Sequence, residues 1–170
     1  MQSDIANRAI LETQLADVIL SWEVLEHLKH PARAFEQMFR VLRSGGIAFD
    51  EYNSFFSQDG GHSLCTLDFP WGHARLSPQD FKRYLREIRP SEEEVARRFY
   101  RHNLNRMTTA DLRRFATGAG FTLLSILPWT KSRHFDELPS ETLSDTTSSY
   151  PSCQLTDLIS PTVWVLMRKD

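Results

Sequence analysis

Glycine is scarce in this 170-residue chain, and none of its seven glycines precedes Gly45. The first 44 residues therefore hold no glycine-rich turn of the kind that lets backbone N–H groups close on a phosphate or a dinucleotide. Cysteine is nearly absent: Cys65 and Cys153 form no C-x-x-C pair, which excludes a disulfide framework and a cysteine zinc knuckle and suits a reducing cytoplasm. Nowhere does the chain approach the roughly 20 apolar residues needed to span a bilayer. Its opening stretch, MQSDIANRAILETQLA, mixes charge among its apolar residues, so neither membrane insertion nor secretion is expected. An excess of charge of one sign is also missing. The formal net charge is -2, and the pairs Arg97-Arg98 and Arg113-Arg114 read as solvated helix faces rather than a nucleic-acid surface.

What is present is an ordinary globular composition, 41% hydrophobic and 25% charged, expected to form one domain over residues 1–170. ADVILS (16–21) is an apolar run without alternation, as in a parallel strand buried on both faces. A helix follows from Pro31, with Phe35, Met38, Phe39 and Leu42 at helical spacing and Gly45-Gly46 as its stop. GIAFDEY (46–52) is a second strand, and the short connections imply a parallel crossover. Ser77 and Pro78 open a helix bearing Phe81, Tyr84, Leu85 and Ile88; Ser91 caps the next, with Glu92, Glu93 and Glu94 in its first turn. Thr108 and Asp111 have capping-box spacing before a helix that stops at Gly118-Ala119-Gly120, read as a helix end and not as a nucleotide motif. FTLLSIL (121–127) and TVWVLM (162–167) are the remaining strands, separated by a long polar connection over 132–160. Trp164, alternating with Val163 and Val165, reads as structural.

Three stretches carry a family resemblance. ADVILSWEVLEHLKHPARAFEQMFRVLRSGGIAF resembles the middle of a class I S-adenosylmethionine-dependent methyltransferase of the type 11-like group. MTTADLRRFATGAGFTLLSILPW is similar to the helix and strand after that family's substrate loop, and LISPTVWVLMRK to its closing antiparallel strand. The resemblance implies an α/β fold with a Rossmann-like sheet ordered 3-2-1-4-5-7-6, of which this chain supplies strands four to seven of seven, the last antiparallel, with flanking helices. A glycine-rich turn and a ribose-binding acid would belong to the half that is missing here, so the expected picture is an amino-terminally truncated domain lacking most cofactor contacts. Complete relatives transfer a methyl group from S-adenosylmethionine to a small-molecule acceptor.

Ligands in open α/β sheets bind outside the carboxyl ends of the strands. DVILSWEVLEHL (17–28) runs from a strand straight into such a place. The resemblance carries Ser21, Trp22 and Glu23 over as cofactor-binding candidates, and Glu26 and His27 as candidates beside the acceptor. Glu23, Glu26 and His27 also stand at i, i+3 and i+4, so their ligand atoms share one helical face. Some methyltransferases with this pattern hold a divalent metal there, to which His62 or His73 would add; the preferred reading leaves metal out and has Glu26 and His27 bonding neighbouring backbone. Residues 53–77, with Phe55, Phe56, Phe69 and Trp71, are a candidate substrate loop for closing over a small molecule, the alternative being a loop packed on itself. His73 in that loop is the candidate general base.

A second functional class competes with the enzyme. The first strand would be an uncovered sheet edge, suited to pairing with a partner chain or another copy, unless residues 1–16, with Ile5, Ala9, Ile10 and Leu11, fold over it. The chain would then be a non-catalytic interaction module.

Overall fold

The computed structural model describes residues 13–170. Whether the opening residues fold over the sheet edge lies outside the described part. Strand β1 (Ala16–Trp22) leads through a single 3-10 turn (Leu25–His27) into helix α1 (Pro31–Val41) and strand β2 (Leu42–Asn53). Four helices follow: the one-turn α2 (His62–Cys65) and α3 (Gly72–Arg75), then α4 (Pro78–Ile88) and α5 (Glu93–His102). Helix α6 (Thr109–Gly118) precedes strand β3 (Thr122–Trp129), and short helices α7 (Ser132–Asp136), α8 (Thr142–Ser149) and α9 (Leu155–Ile159) lead to strand β4 (Thr162–Arg168). This is an α/β architecture with one mixed sheet in the order β1-β2-β4-β3. β1 and β2 are parallel, in register from Val18↔Ile47 to Trp22↔Glu51; β4 is antiparallel to both β2 and β3. The strand order and the antiparallel final strand agree with those the resemblance implies.

One face of the sheet is packed. Phe35 and Met38 of α1, Leu112 and Ala116 of α6, Ala48 and Tyr52 of β2, and Val163, Val165 and Met167 of β4 form a continuous core. The opposite face is another matter. Val18, Leu20 and Trp22 of β1 are 49%, 57% and 52% exposed, whereas the apolar run implies a strand buried on both faces. The physical reason is that α1 and α6 lie on the same side of the sheet, so side chains alternating to the other side meet no described helix.

A second core lies beyond the strand ends, where Phe55, Phe56, Trp71, Phe81, Leu85, Tyr100 and Leu158 bury one another. It joins the loop after β2 to the 132–160 connection, which is folded rather than extended. Asp157 Oδ1 accepts from both the N–H and the hydroxyl of Thr109 at 2.8 Å, Trp71 Nε1 donates to the Leu158 carbonyl at 3.0 Å, and Arg75 pairs with Glu141 and Asp145.

Most helix ends follow their sequence signals. Ser77 accepts from the Asp80 N–H at the start of α4, and Thr108 and Asp111 form the reciprocal capping box of α6. Two differ. Helix α5 begins one residue later than Ser91 would dictate, with Glu92 at the cap position and Arg89 paired to it. Gly45 has φ +81 as expected of a left-handed glycine, but α1 has already ended at Leu42. Gly45 instead turns a bulged start of β2, its N–H donating to the Lys169 carbonyl at 2.7 Å.

Loss of the Thr108 cap should be measurable by itself. Thr108→Ala is expected to lower unfolding stability by about 1 kcal/mol, within the usual range for a cap, read from a urea midpoint shift with an unchanged slope.

Candidate functional site at the strand ends

Beyond Trp22 the chain turns sharply. Glu23 adopts a left-handed backbone, φ +51, while its N–H still donates to the Glu51 carbonyl of β2 at 2.9 Å. The 3-10 turn that follows is tied down from the far end of α5. Asn105 donates from its side-chain amide to the carbonyls of Leu25 at 2.6 Å and Leu28 at 3.0 Å, and from its backbone N–H to the Glu26 carbonyl at 2.8 Å. Asn103 contributes a carbonyl that accepts from His27 Nδ1 at 2.6 Å. Neither asparagine stands out in the sequence, because HNLNR follows a helix whose pattern explains itself; the one available signal is a pair of turn-forming residues where no glycine ends the helix.

Glu26 is 2% exposed, and neither carboxylate oxygen has a hydrogen-bond partner. Burial raises its pKa, against the pull of its own and the Asn53 backbone amides and of His27. His62, reached through the loop after β2, brings its ring to 5.0 Å from that of His27, centroid to centroid, and Phe99 of α5 packs edge-on against both. Burial and the neighbouring imidazole lower the pKa of His62. One ligand atom from each of Glu26, His27 and His62 lies within 4.8 Å of the other two. Glu23, on the same face by spacing, is not in this group: it is exposed, and Asn53 Nδ2 donates to its Oε1 at 3.4 Å. Beside His27 a cavity of about 250 Å³ opens, lined in part by Lys29, Arg101, His102 and Asn105.

The other candidates fall into two places. Ser21 and Trp22 sit at the end of β1, Trp22 half-exposed with its ring 5.9 Å from that of Phe49. Phe55, Phe56, Trp71 and His73 are all buried in the second core, which is the self-packed arrangement. Gly60 permits this fold of the loop, since a Cβ there would overlap the Ser54 carbonyl. His73, the general-base candidate, does not face an acceptor site: it has no exposure, donates from Nε2 to the Phe55 carbonyl at 2.8 Å, and does not join Glu26, His27 and His62. Burial lowers its pKa to about 4, so the ring is neutral at physiological pH with Nδ1 unpartnered. In this conformation it is positioned as a structural group.

One buried acid of the first core, Asp50, escapes sequence reasoning altogether. Asp50 faces inward between Ala48 and Tyr52, is fully buried, and has no hydrogen-bond partner on either oxygen. Burial raises its pKa to about 7, slightly offset by the hydroxyl of Ser21, the residue opposite it on β1.

Comparison with known proteins bears on this arrangement. A family model described as a methyltransferase domain matches residues 3–126. The chain belongs to the class I methyltransferase family. A methyltransferase of uncharacterised activity from Mycobacterium ulcerans is 30% identical over 112 residues, covering 66% of this chain and 40% of the relative. One from Mycolicibacterium gilvum is 31% identical over 106 residues, 61% of this chain and 37% of the relative. The methyltransferase chain thus spans well under two thirds of these relatives' length. Among solved structures, an S-adenosylmethionine-dependent methyltransferase from Listeria monocytogenes matches all of this chain and 68% of its own length, with a TM-score of 0.54 at 13% identity, a likeness of fold.

The two buried titrating groups, Asp50 and His73, act on stability in opposite senses over nearly the same pH range. Asp50 ionises near 3.8 when unfolded and about 7 when folded, so its contribution falls as pH rises from about 4 to 7. His73 gains its proton near 6.5 when unfolded and about 4 when folded, so its contribution falls as pH drops through that range. The difference in Tm between Asp50→Asn and wild type should therefore grow with pH from about 4 to 7, while that for His73→Gln should shrink. Parallel melting curves across this range for both variants would show the pKa values to be ordinary.

Proposed function

We propose that this chain is the acceptor-side part of an S-adenosylmethionine-dependent methyltransferase, acting on a small molecule held at the ends of β1 and β2. The observation that carries this reading is the convergence of Glu26, His27 and His62 on one side of a strand end whose backbone is clamped by Asn105. S-adenosylmethionine supplies an electrophilic methyl group when bound. Ser21, Trp22 and Glu23 suit the edge of its methionine part: they stand at the carboxyl end of a parallel strand, with Trp22 offering an exposed ring and Glu23 a carboxylate. No glycine-rich turn for the nucleoside lies in this sequence before Gly45, so those contacts fall to a segment other than these residues. Methyl transfer depends chiefly on alignment and on excluding water. The clamped turn and the packed loop over 53–77 supply rigidity and a dry floor for that task, and the cavity beside His27 is of a size for a small acceptor group.

A second reading follows from β1. Its open edge and its exposed Val18, Leu20 and Trp22 are features of a surface made to be covered, by further strands of a longer chain, by another copy or by a partner. Under this reading the domain is an interaction module, and an active site forms only in the assembly.

Calorimetric titration with S-adenosylmethionine, run on the 170-residue chain and on the same chain joined to the first three strands of a complete relative, tests the enzyme reading. Binding is expected only in the joined form, with a stabilisation of about 2.7 kcal/mol at a ligand concentration one hundred times Kd. Failure of the joined, folded protein to bind would remove the enzyme reading.

A further inference from the structure

On α4 and α6 an acid and the arginine three residues later form an ion pair, Asp80 with Arg83 and Asp111 with Arg114. Glu94 and Arg97 have the same spacing on α5 and form none among the described residues. Arg98 and Arg101 are likewise without a carboxylate partner there. Three guanidinium groups thus stand unpaired within little more than one helical turn. Cations are favoured at the carboxyl end of a helix by its dipole, which accounts for their position. It does not account for Arg97, whose Nε is buried and bonds to nothing. The reading of Arg97-Arg98 as a solvated face holds for Arg98, which is exposed, and fails for Arg97.

These side chains border a cavity. Glu94, Arg97, Arg98, Arg101 and His102 line a space of about 160 Å³, and Arg101 and His102 also line the cavity of about 250 Å³ beside His27, so the two adjoin. Each alone is smaller than the roughly 300–1,000 Å³ of small-molecule sites, and together they fall within that range. Nitrogen donors run from His27 and Lys29 through Arg101 and His102 to Arg97 and Arg98, against a single lining acid, Glu94. Leu28 and Leu104 give the inner cavity its apolar wall.

An anion is the ligand such a lining recognises. Guanidinium groups hold phosphate oxygens through paired N–H donors, and three of them around one cavity favour a phosphate dianion over the single charge of a carboxylate. A nucleic acid would call for basic side chains over a wider face, whereas the net charge is -2 and the cluster is confined to one end of α5. We infer that Arg97, Arg98 and Arg101 bind the phosphate of a small phosphate monoester whose organic part lies in the cavity beside His27. That the monoester is the methyl acceptor rests on the function proposed above; the anion site itself does not.

The test uses the purified 170-residue chain at constant ionic strength with no S-adenosylmethionine present, so its outcome is separate from that of the cofactor titration. Inorganic phosphate and phenyl phosphate are added in turn while the arginine Nε–H and histidine ring resonances are followed. Expected are saturable shifts at Arg97, Arg98 and Arg101, none at Arg113, an exposed arginine of α6, and with phenyl phosphate a further shift at His27. Phenyl phosphate should bind about tenfold more tightly than phosphate, through burial of its ring. Arg97→Gln and Arg101→Gln should each weaken binding about tenfold or more, the effect of one charge-assisted hydrogen bond, while Arg113→Gln binds as wild type does. If the Arg97 variant fails to fold, Arg101→Gln decides alone, since that side chain is exposed. Absence of saturable shifts in the folded wild type would overturn the inference, as would unchanged affinity in the Arg101 variant or equal affinity for the two phosphates. Tighter binding of a single-stranded oligonucleotide than of phenyl phosphate would overturn it in favour of a nucleic-acid surface.

Discussion

The strand-end site depends on one asparagine. Asn105 donates three hydrogen bonds into the turn at residues 25–28, some eighty positions earlier in the chain, and its Oδ1 accepts from the Met107 N–H at 3.0 Å. A 3-10 turn of three residues has little stability of its own, since short helical segments gain too few hydrogen bonds for the dihedrals they fix. Held by the loop between α5 and α6, it becomes rigid, and with it the direction in which Glu26 and His27 point. The same end of α5 supplies Phe99 against both imidazoles and the Asn103 carbonyl. Helices distant in sequence thus determine the geometry of residues that the strand merely delivers.

That dependence explains what could be read from the sequence. Strands and helices were legible because their signals are local: the apolar run at 16–21, the capping box at Thr108, the proline at the start of α1 and α4. Strand order was legible through family resemblance. The site was legible in part. Spacing brought Glu26 and His27 to one face, but spacing on an ideal helical turn also included Glu23, whose left-handed backbone sends it elsewhere. His62 over His73 could not be chosen from sequence, because both occupy the same aromatic loop and only long-range packing decides that one imidazole meets His27 while the other enters the second core. Exposure of one side of β1 was equally hidden, since an apolar run looks the same whether one face is covered or both.

Buried polarity in this fold is unevenly resolved. Asp157 is satisfied completely enough to link α6 to α9, whereas Asp50 is left without a partner in the middle of the packed sheet. The first arrangement organises structure. The second opposes it, because a buried carboxyl without a partner costs stability once it ionises. Its neighbour across the strands is Ser21, so a change of charge at Asp50 would be felt first at the end of β1.

The ties between the loop after β2 and the connection before β4 have a mechanical consequence. Arg75 reaches Glu141 and Asp145, Trp71 reaches Leu158, and Phe55 and Phe56 pack against Tyr150, so two segments far apart in sequence share one set of bonds. Loosening either segment removes partners from the other, so the two are expected to lose hydrogen-exchange protection together, as one cooperative unit.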